Sequence, residues 1–527
     1  MERRALLAAL LSGVVLVLWY AFVMPPQAER NGKGATGTAV ATPAAAPAST
    51  LEATREAETA PPAEPSAPAP AAVRGSAEEV IELAGEGWRA AVAARGGKIN
   101  SLILGEYKDD KGAPLELAGG VGILGIAGEG PWDDDIWAVE RTGEEVRLRW
   151  SDGQGNWVDK RFAPAGGRYA LAVEVAMGGA PARLGLLVGA GVGSGAVAQA
   201  RSGMGVAGAV LQLDGKLDRI KAEKIEQAEE RRGKIGFAGV EDQYFLVVML
   251  PDADLDGVRL TRRGEGAGAV AAVALTGREG KIQGTLYAGP KEHRTLVGYG
   301  RGLEETLSFG FFGLLSVGAL GALRWIHSWA GNWGVAIIVL TAGIRVLLFP
   351  LTHKSTVAMR RMQALQPKMK AIQERYQERA KRDPQVRARM NQEVMGLYKQ
   401  EGVNPLGGCL PTLVQLPILW ALYTLFANAI ELRHAPLALW IRDLSLKDPT
   451  YITPVLMTAT MVIQQRMTPQ VGDPAQRKIF MLMPFIFGIM FMNFPAGLVL
   501  YWLVNNVLTI GQQMLTERML SGTAKTA

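Results

Sequence analysis

Arg345 is the residue whose chemistry most needs an explanation. It interrupts an apolar run that reads Val335-Ala-Ile-Ile-Val-Leu-Thr-Ala-Gly-Ile and then Val346-Leu-Leu-Phe349. A charge at the centre of a bilayer costs about 2.5–3.5 kcal/mol on insertion scales, so such a side chain faces water, a partner or the headgroups. Arg345 lies eight residues before His353, within reach of snorkelling to the cytoplasmic surface. The other reading is a wet cavity inside a helix bundle. Thr341, four residues earlier, shares its helix face. Gln415, Gln464, Asn505, Asn506 and Gln512 are further polar residues of the apolar stretches, enough to line a water-containing groove. Asp and Glu are missing from all of those stretches, so a buried ion pair has no acidic partner there.

Other chemistries find little material. The lone Cys409 excludes an intrachain disulfide framework and any multi-Cys metal site, and four scattered His residues have no metal-ligand spacing. Neither paired Asp nor a Ser with a base occurs in the apolar segments, as an intramembrane protease would need, and no nucleotide site is visible. The Asp133-Asp134-Asp135 cluster reads as a solvated turn. We therefore expect no metal, no cofactor and no enzymatic activity.

The elements that must position Arg345 follow from hydropathy and charge. A bilayer crossing takes roughly 20 residues. Apolar stretches suited to it span about 1–24, 331–351, 407–430, 451–465, 479–492 and 496–514, the last two separated by Asn493-Phe494-Pro495-Ala496-Gly497 as a tight turn. The first follows Arg3-Arg4 and ends near Trp19-Tyr20 without a clean small-residue cleavage site, so it reads as a retained anchor rather than a removed signal peptide. Residues 301–330 contain a further apolar stretch, Thr306 to Leu323. Charge decides its placement, because Lys and Arg in short loops stay on the cytoplasmic side. The segment 353–401 holds 12 Lys+Arg against 5 Asp+Glu, exceeding the net +6 of all 527 residues, whereas residues 24–332 hold 33 against 39. Making 306–323 a span would export the most basic loop; it is read as an interfacial amphipathic helix. The chain is thus expected to be an α-helical polytopic membrane protein with six transmembrane helices and both termini cytoplasmic. Two of its spans are short and demand either local bilayer thinning or extension by flanking residues. The basic excess sits between apolar runs rather than over a folded face, which argues against nucleic-acid recognition.

Residues 25–77 are an Ala/Pro-rich tether without apolar periodicity, expected to be disordered. From 78 to 300 the pattern turns to alternating β-branched runs, Lys98 to Leu104, Glu145 to Trp150, Tyr169 to Val175 and Tyr244 to Leu250, separated by Gly and Asp turns. This spacing predicts an antiparallel β sandwich, interrupted by one charged helix near Asp214 to Arg232. Within 353–401, Val357, Met362, Leu365, Met369, Ile372, Tyr376, Val386, Met390, Val394 and Leu397 recur at three to five residues. With Asp383-Pro384 as a breaker they predict a helical hairpin whose charged face is open to anionic lipid, nascent chain or ribosome. Residues 521–527 are a short tail.

Asn404-Pro-Leu-Gly-Gly-Cys-Leu-Pro411 followed by Gln415-Leu-Pro417 is similar to the signature of the YidC membrane protein insertase family. The likeness runs on through Gly331-Asn-Trp-Gly334, Arg345 with Pro350-Leu-Thr352, Leu365-Gln-Pro367, Glu431-Leu-Arg433, Ala438-Leu-Trp440-Ile and Phe494-Pro-Ala-Gly-Leu-Val-Leu-Tyr501. It covers residues 303–520, and Gly239-Val-Glu-Asp-Gln-Tyr-Phe245 carries a weaker match in the soluble region. The resemblance implies a core of five spans (331–520) around a hydrophilic groove, and a periplasmic β-supersandwich related to sugar mutarotases. It makes Arg345 the groove's positive charge, with Thr341, Gln415, Gln464, Trp502 and Asn505 beside it. Trp502 stands where relatives often carry Tyr. Leu416, Leu419, Phe487 and Phe491 would form a hydrophobic slide, and Pro405, Gly407, Gly408, Pro411, Pro417, Pro495 and Gly497 are structural motif positions. The implied function is insertion and chaperoning of nascent membrane proteins in the bacterial inner membrane, alone or with the Sec translocon, and with the ribosome and phospholipid as further partners. A secondary transporter or channel using Arg345 as an anion site is the competing class. It would favour inverted repeats, and the sequence shows no such duplication.

Overall fold

The structure is a computed structural model that describes residues 71–109, 111–193, 207–265, 268–380, 383–403, 410–467 and 474–523. The expected anchor and nearly all of the tether lie outside the described residues. Order begins before residue 78, since Val73 and Ser151 exchange backbone hydrogen bonds of 3.0 Å in each direction.

The soluble part is all-β, with antiparallel sheets of nine, five and four strands among the described residues. The middle of the nine-stranded sheet is the row Phe245–Pro251, Lys281–Pro290 and Ala170–Gly178. Every residue of Phe245–Pro251 is buried, so this strand reads as a continuous apolar run. Ala170–Gly178, mostly buried on alternate positions, shows the half-buried pattern instead. Trp137, Trp150, Phe162, Phe237 and Tyr287 are among the largest fully buried side chains of the soluble part. The charged helix expected near Asp214 to Arg232 does not form. Asp214 and Gly215 both take positive φ, 51° and 75°, and make the two-residue turn of a hairpin between Gly208–Leu213 and Lys216–Ile220. A single 3-10 turn, Ala222–Lys224, is the one helical piece there.

From residue 313 onward the described residues form eight α-helices: α1 Gly313–Ala330, α2 Trp333–Ala364, α3 Gln366–Ala380, α4 Pro384–Gln400, α5 Leu410–Asn428, α6 Ile452–Met467, α7 Pro474–Phe491 and α8 Ala496–Thr523. Among the described residues α2 alone is long and apolar enough to cross a membrane by itself, while α5 and α7 hold shorter apolar stretches, Leu413–Asn428 and Met481–Phe491. Of the two short stretches, 479–492 is lengthened at its start, because the helix begins at Pro474. One face of α1 (Ser316, Leu320, Leu323, Ile326) is buried and the opposite side exposes Leu314, Trp325 and Trp329, the division an interfacial helix requires. Helix α2 runs unbroken past His353, so the basic segment starts as its continuation. The hairpin proper is α3 and α4. The Asp383 side chain caps α4 by accepting from the Gln385 amide at 2.7 Å, and Met362, Leu365, Met369 and Tyr398 form the hairpin's small apolar core.

Candidate functional site

Arg345 is positioned by what fixes the start of α2. The Asn332 side chain accepts from the Val335 amide at 3.0 Å and donates to the carbonyls of Pro436 and Leu437 at 3.1 and 2.9 Å. One side chain thereby caps the helix and ties it to the loop after α5. Gly334 lies so close to Leu437 that a Cβ would overlap that side chain. Helix α8 is anchored at the same end. The amides of Ala496 and Gly497 donate to Leu446 and Leu444 carbonyls at 2.7 and 2.9 Å, just after Pro495.

These anchors bring one face of α2 against one face of α8. The Arg345 Nε donates to Asn505 Oδ1 at 2.8 Å, and a terminal guanidinium nitrogen donates to the Thr509 hydroxyl. Thr509 in turn donates to the Asn505 carbonyl at 2.6 Å. Further along the pair, Gln512 Nε2 donates to the Thr352 hydroxyl at 2.6 Å. On α5, the Gln415 side chain donates to the Tyr501 hydroxyl. Tyr501, Asn505, Thr509 and Gln512 follow one another at four, four and three residues, so they form a single stripe along α8. Arg345 and Thr352, seven apart, face it. Among the described residues the ion pairs include none to Arg345, whose partners are neutral oxygens; its charge is solvated by dipoles and not cancelled.

Two of the expected groove residues sit elsewhere. Thr341 is buried and its hydroxyl donates to the Ile337 carbonyl of its own helix at 2.6 Å, so it offers nothing to a groove. Asn506 faces away from Arg345, donating to Thr460 at 3.2 Å, and packs α8 on α6. Gln464 lies half-buried on α6. Of the apolar set, Leu416 is 40% exposed and Leu419 half-buried. Phe487 stacks on Trp502 with centroids 6.2 Å apart, and Phe491, 4% exposed, is enclosed by Trp502 and Phe494 at 5.2 and 4.9 Å. Phe491 is therefore core, not surface; Met481, Leu482, Phe485, Ile486 and Ile489 are the exposed large apolar residues of α7 among those described. Pro411 and Pro417 lie within α5, and Pro405, Gly407 and Gly408 fall outside the described residues. Thr509 is not among the expected residues, and Thr352 and Tyr501 are there only as motif positions and not as groove residues. Thr509 was findable, as the next residue of the Asn505 stripe.

Beyond the helices, Glu431 pairs with Arg324 of α1. Asp448 accepts from Thr453 and Thr450: burial alone would raise its carboxyl, but the hydrogen bonds from these side chains and amides outweigh that and bring it down to about 2. In the β domain Asp135 accepts from Trp150 at 2.9 Å and pairs with Arg74 at 3.2 Å. Among the described residues no three His, Cys, Asp or Glu side chains gather as metal ligands would.

An all-β domain followed by apolar helices that hold a guanidinium against neutral oxygens is the build of a membrane protein. Family comparison narrows it. The model described as 60Kd inner membrane protein matches residues 325–523, and the YidC periplasmic domain model matches 81–317. The membrane protein insertase YidC of Syntrophus aciditrophicus (strain SB) is 34% identical over 553 residues, covering 97% of this chain and 99% of that one. That of Geobacter metallireducens is 34% identical over 552 residues, covering 99% of both. A solved structure, an active YidC insertase crystal structure with the first transmembrane domain resolved, aligns with TM-score 0.36 at 17% identity, over 84% of this chain and 94% of that one. The chain belongs to the YidC family of membrane protein insertases, with its periplasmic domain. It is a membrane protein of a non-enzymatic family whose business is membrane protein insertion.

Proposed function

We propose that the protein inserts and folds nascent inner-membrane proteins through a hydrophilic groove centred on Arg345, working alone or with the Sec translocon. The observation carrying this reading is the guanidinium between α2 and α8, held by Asn505 and Thr509 and lacking a carboxylate partner among the described residues. A bare positive charge within apolar helices attracts the polar or acidic extracytoplasmic tail of an incoming protein and holds it partway across. The substrate's apolar segment then leaves along Leu416 and Leu419 of α5 and the aromatic surface at Phe487 and Trp502. About 20 apolar residues entering lipid supply the driving force, with the membrane potential acting on the charged tail. The N- and C-termini and the basic α3–α4 hairpin are cytoplasmic in this reading, the hairpin offering its charged face to lipid, nascent chain or ribosome.

Depletion of the protein, followed by insertion of a small single-spanning substrate, is the test. Insertion should fail on depletion and return with the wild-type chain but not with Arg345→Ala. Normal insertion without the protein removes the reading. Full activity of Arg345→Ala on every substrate removes the groove charge alone.

A further inference from the structure

The Gly239 to Phe245 motif has no part in the groove, yet it touches the membrane helices. Strand Ile235–Glu241 ends in Glu241, and Asp242 folds the chain back by accepting from the Tyr244 and Phe245 amides at 2.8 and 2.7 Å. The turn presents Gln243 and Tyr244 to the end of α5. Gln243 Nε2 donates to the Ala427 carbonyl at 2.5 Å, and the buried Tyr244 hydroxyl reaches the same oxygen at 3.4 Å. A helix leaves its last four carbonyls without intrahelical partners. Here one of them is satisfied by side chains from another domain, 184 and 183 residues away in sequence.

The base of the turn is fixed as firmly. Glu241 is fully buried and accepts from Arg219 at 2.8 Å and Lys291 at 2.6 Å. Arg219 also donates to the Thr306 carbonyl at 2.7 Å, in the connector between the β domain and α1. That connector is bound to α5 in turn, through Asn428 to the Ser308 carbonyl and Thr424 to the Phe309 carbonyl, both 3.1 Å. Arg433, just beyond α5, lies over the Phe245 ring at 5.5 Å and donates to the Lys108 carbonyl at 2.7 Å.

We propose that the Glu241–Phe245 turn is a positioning joint: Gln243 and Tyr244 cap α5 from the soluble domain, and Glu241 locks cap and connector together. The periplasmic domain thus holds one end of the helix that carries Gln415 and Leu416. Only the consequence for insertion rests on the groove reading; the cap itself does not.

The test uses the full chain in lipid nanodiscs. Gln243→Ala with Tyr244→Phe keeps the buried ring and removes both donors. Amide exchange at residues 424–430 should then quicken about fivefold, the worth of roughly one net hydrogen bond, while exchange in strand Phe245–Pro251 stays as in the wild type. Insertion by the same variant in proteoliposomes should slow by a similar factor, and Gln243→Lys, which keeps a donor at that reach, should restore both readings. Unchanged exchange at 424–430 overturns the cap. Quickened exchange with unchanged insertion overturns the positioning role. If Arg345 variants insert normally, the groove reading fails while the exchange result stands.

Discussion

Arg345→Met removes the positive charge and both donors while keeping a flexible apolar side chain, and its effect has two separable parts. The Asn505 Oδ1 and the Thr509 hydroxyl lose their partner, a loss of about 1–3 kcal/mol that falls on the protein whatever the substrate. The second part depends on the substrate. A tail carboxylate ~8 Å from the guanidinium, at an effective dielectric of ~20, gains about 2 kcal/mol, or roughly 30-fold in engagement. A matched pair of single-spanning substrates, one with a single tail carboxylate and one with the corresponding amide, separates the two. Initial insertion rates by protease protection in proteoliposomes are measured for both against wild type, Arg345→Met and Arg345→Lys. Arg345→Met should reduce the acidic-tail rate about 30-fold more than the amide-tail rate. Arg345→Lys keeps the charge but not the fork that reaches two acceptors, so it should retain most of that difference. An equal fall for both tails would refute the electrostatic argument and leave Arg345 as a strap between α2 and α8.

Four further outcomes can be checked. Lys160 is fully buried, donates to Gly97 and Leu124 carbonyls at 2.8 and 2.6 Å and lies over Trp137, and burial pushes its ammonium down to about 7. Between that value and the ordinary one near 10.4 the unfolded chain binds more protons than the folded one, so the β domain should gain stability as pH rises from about 7 to 10, and Lys160→Met should flatten the rise seen in thermal melts of the full chain. Asp448, held down to about 2, contributes stability above the ordinary carboxylate range that is lost as pH falls toward 2; Asp448→Asn should lower the melting temperature at pH 7 and remove that acid dependence. Gly334→Ala should destabilise by about 1–3 kcal/mol through overlap with Leu437, with partial recovery in the double variant carrying Leu437→Ala, read by thermal unfolding in detergent. Deletion of residues 360–398 should slow insertion in the same proteoliposome assay; an unchanged rate would make the hairpin's charged face merely solvated.

Legibility from sequence followed the range of the interaction. The strands were readable because alternation is local, and the one false helix arose where Asp214-Gly215 carries turn chemistry inside a charged run that mimics a solvated helix. Asp383-Pro384 is readable as a breaker for the same reason, and the structure adds the Asp383 cap. The polar stripe on α8 was half visible. Asn505 and Gln512 stand out in an apolar segment and Thr509 follows Asn505 at i+4, whereas Tyr501 becomes a groove candidate only once Gln415 is seen opposite it. Phe491 was misplaced because its burial depends on Trp502 of another helix, which no spacing within α7 encodes. The cap on Ala427 lay furthest out of reach, since it joins residues from two domains.

Packing along α2 and α8 bears on where water can reach the charge. Pro495 to Tyr501 are buried without interruption, and Gly334, Ala336, Ile337 and Thr341 are the buried residues of α2 on that stretch. This is also the end where Gly497 meets Leu444 and Asn332 grips the loop after α5. One turn beyond Thr341, Arg345 is only half-buried, and Val346 and Leu347 next to it are exposed. The bundle is therefore closed by well-packed side chains toward the soluble domain and loosens where the guanidinium begins. In the proposed mechanism this charge, which has no carboxylate partner among the described residues, would draw its hydration from the opposite end, the one that continues into the basic hairpin. In the proposed mechanism, a polar tail entering from that end would meet the charge before the packed end, the order of events that holding a substrate partway across requires.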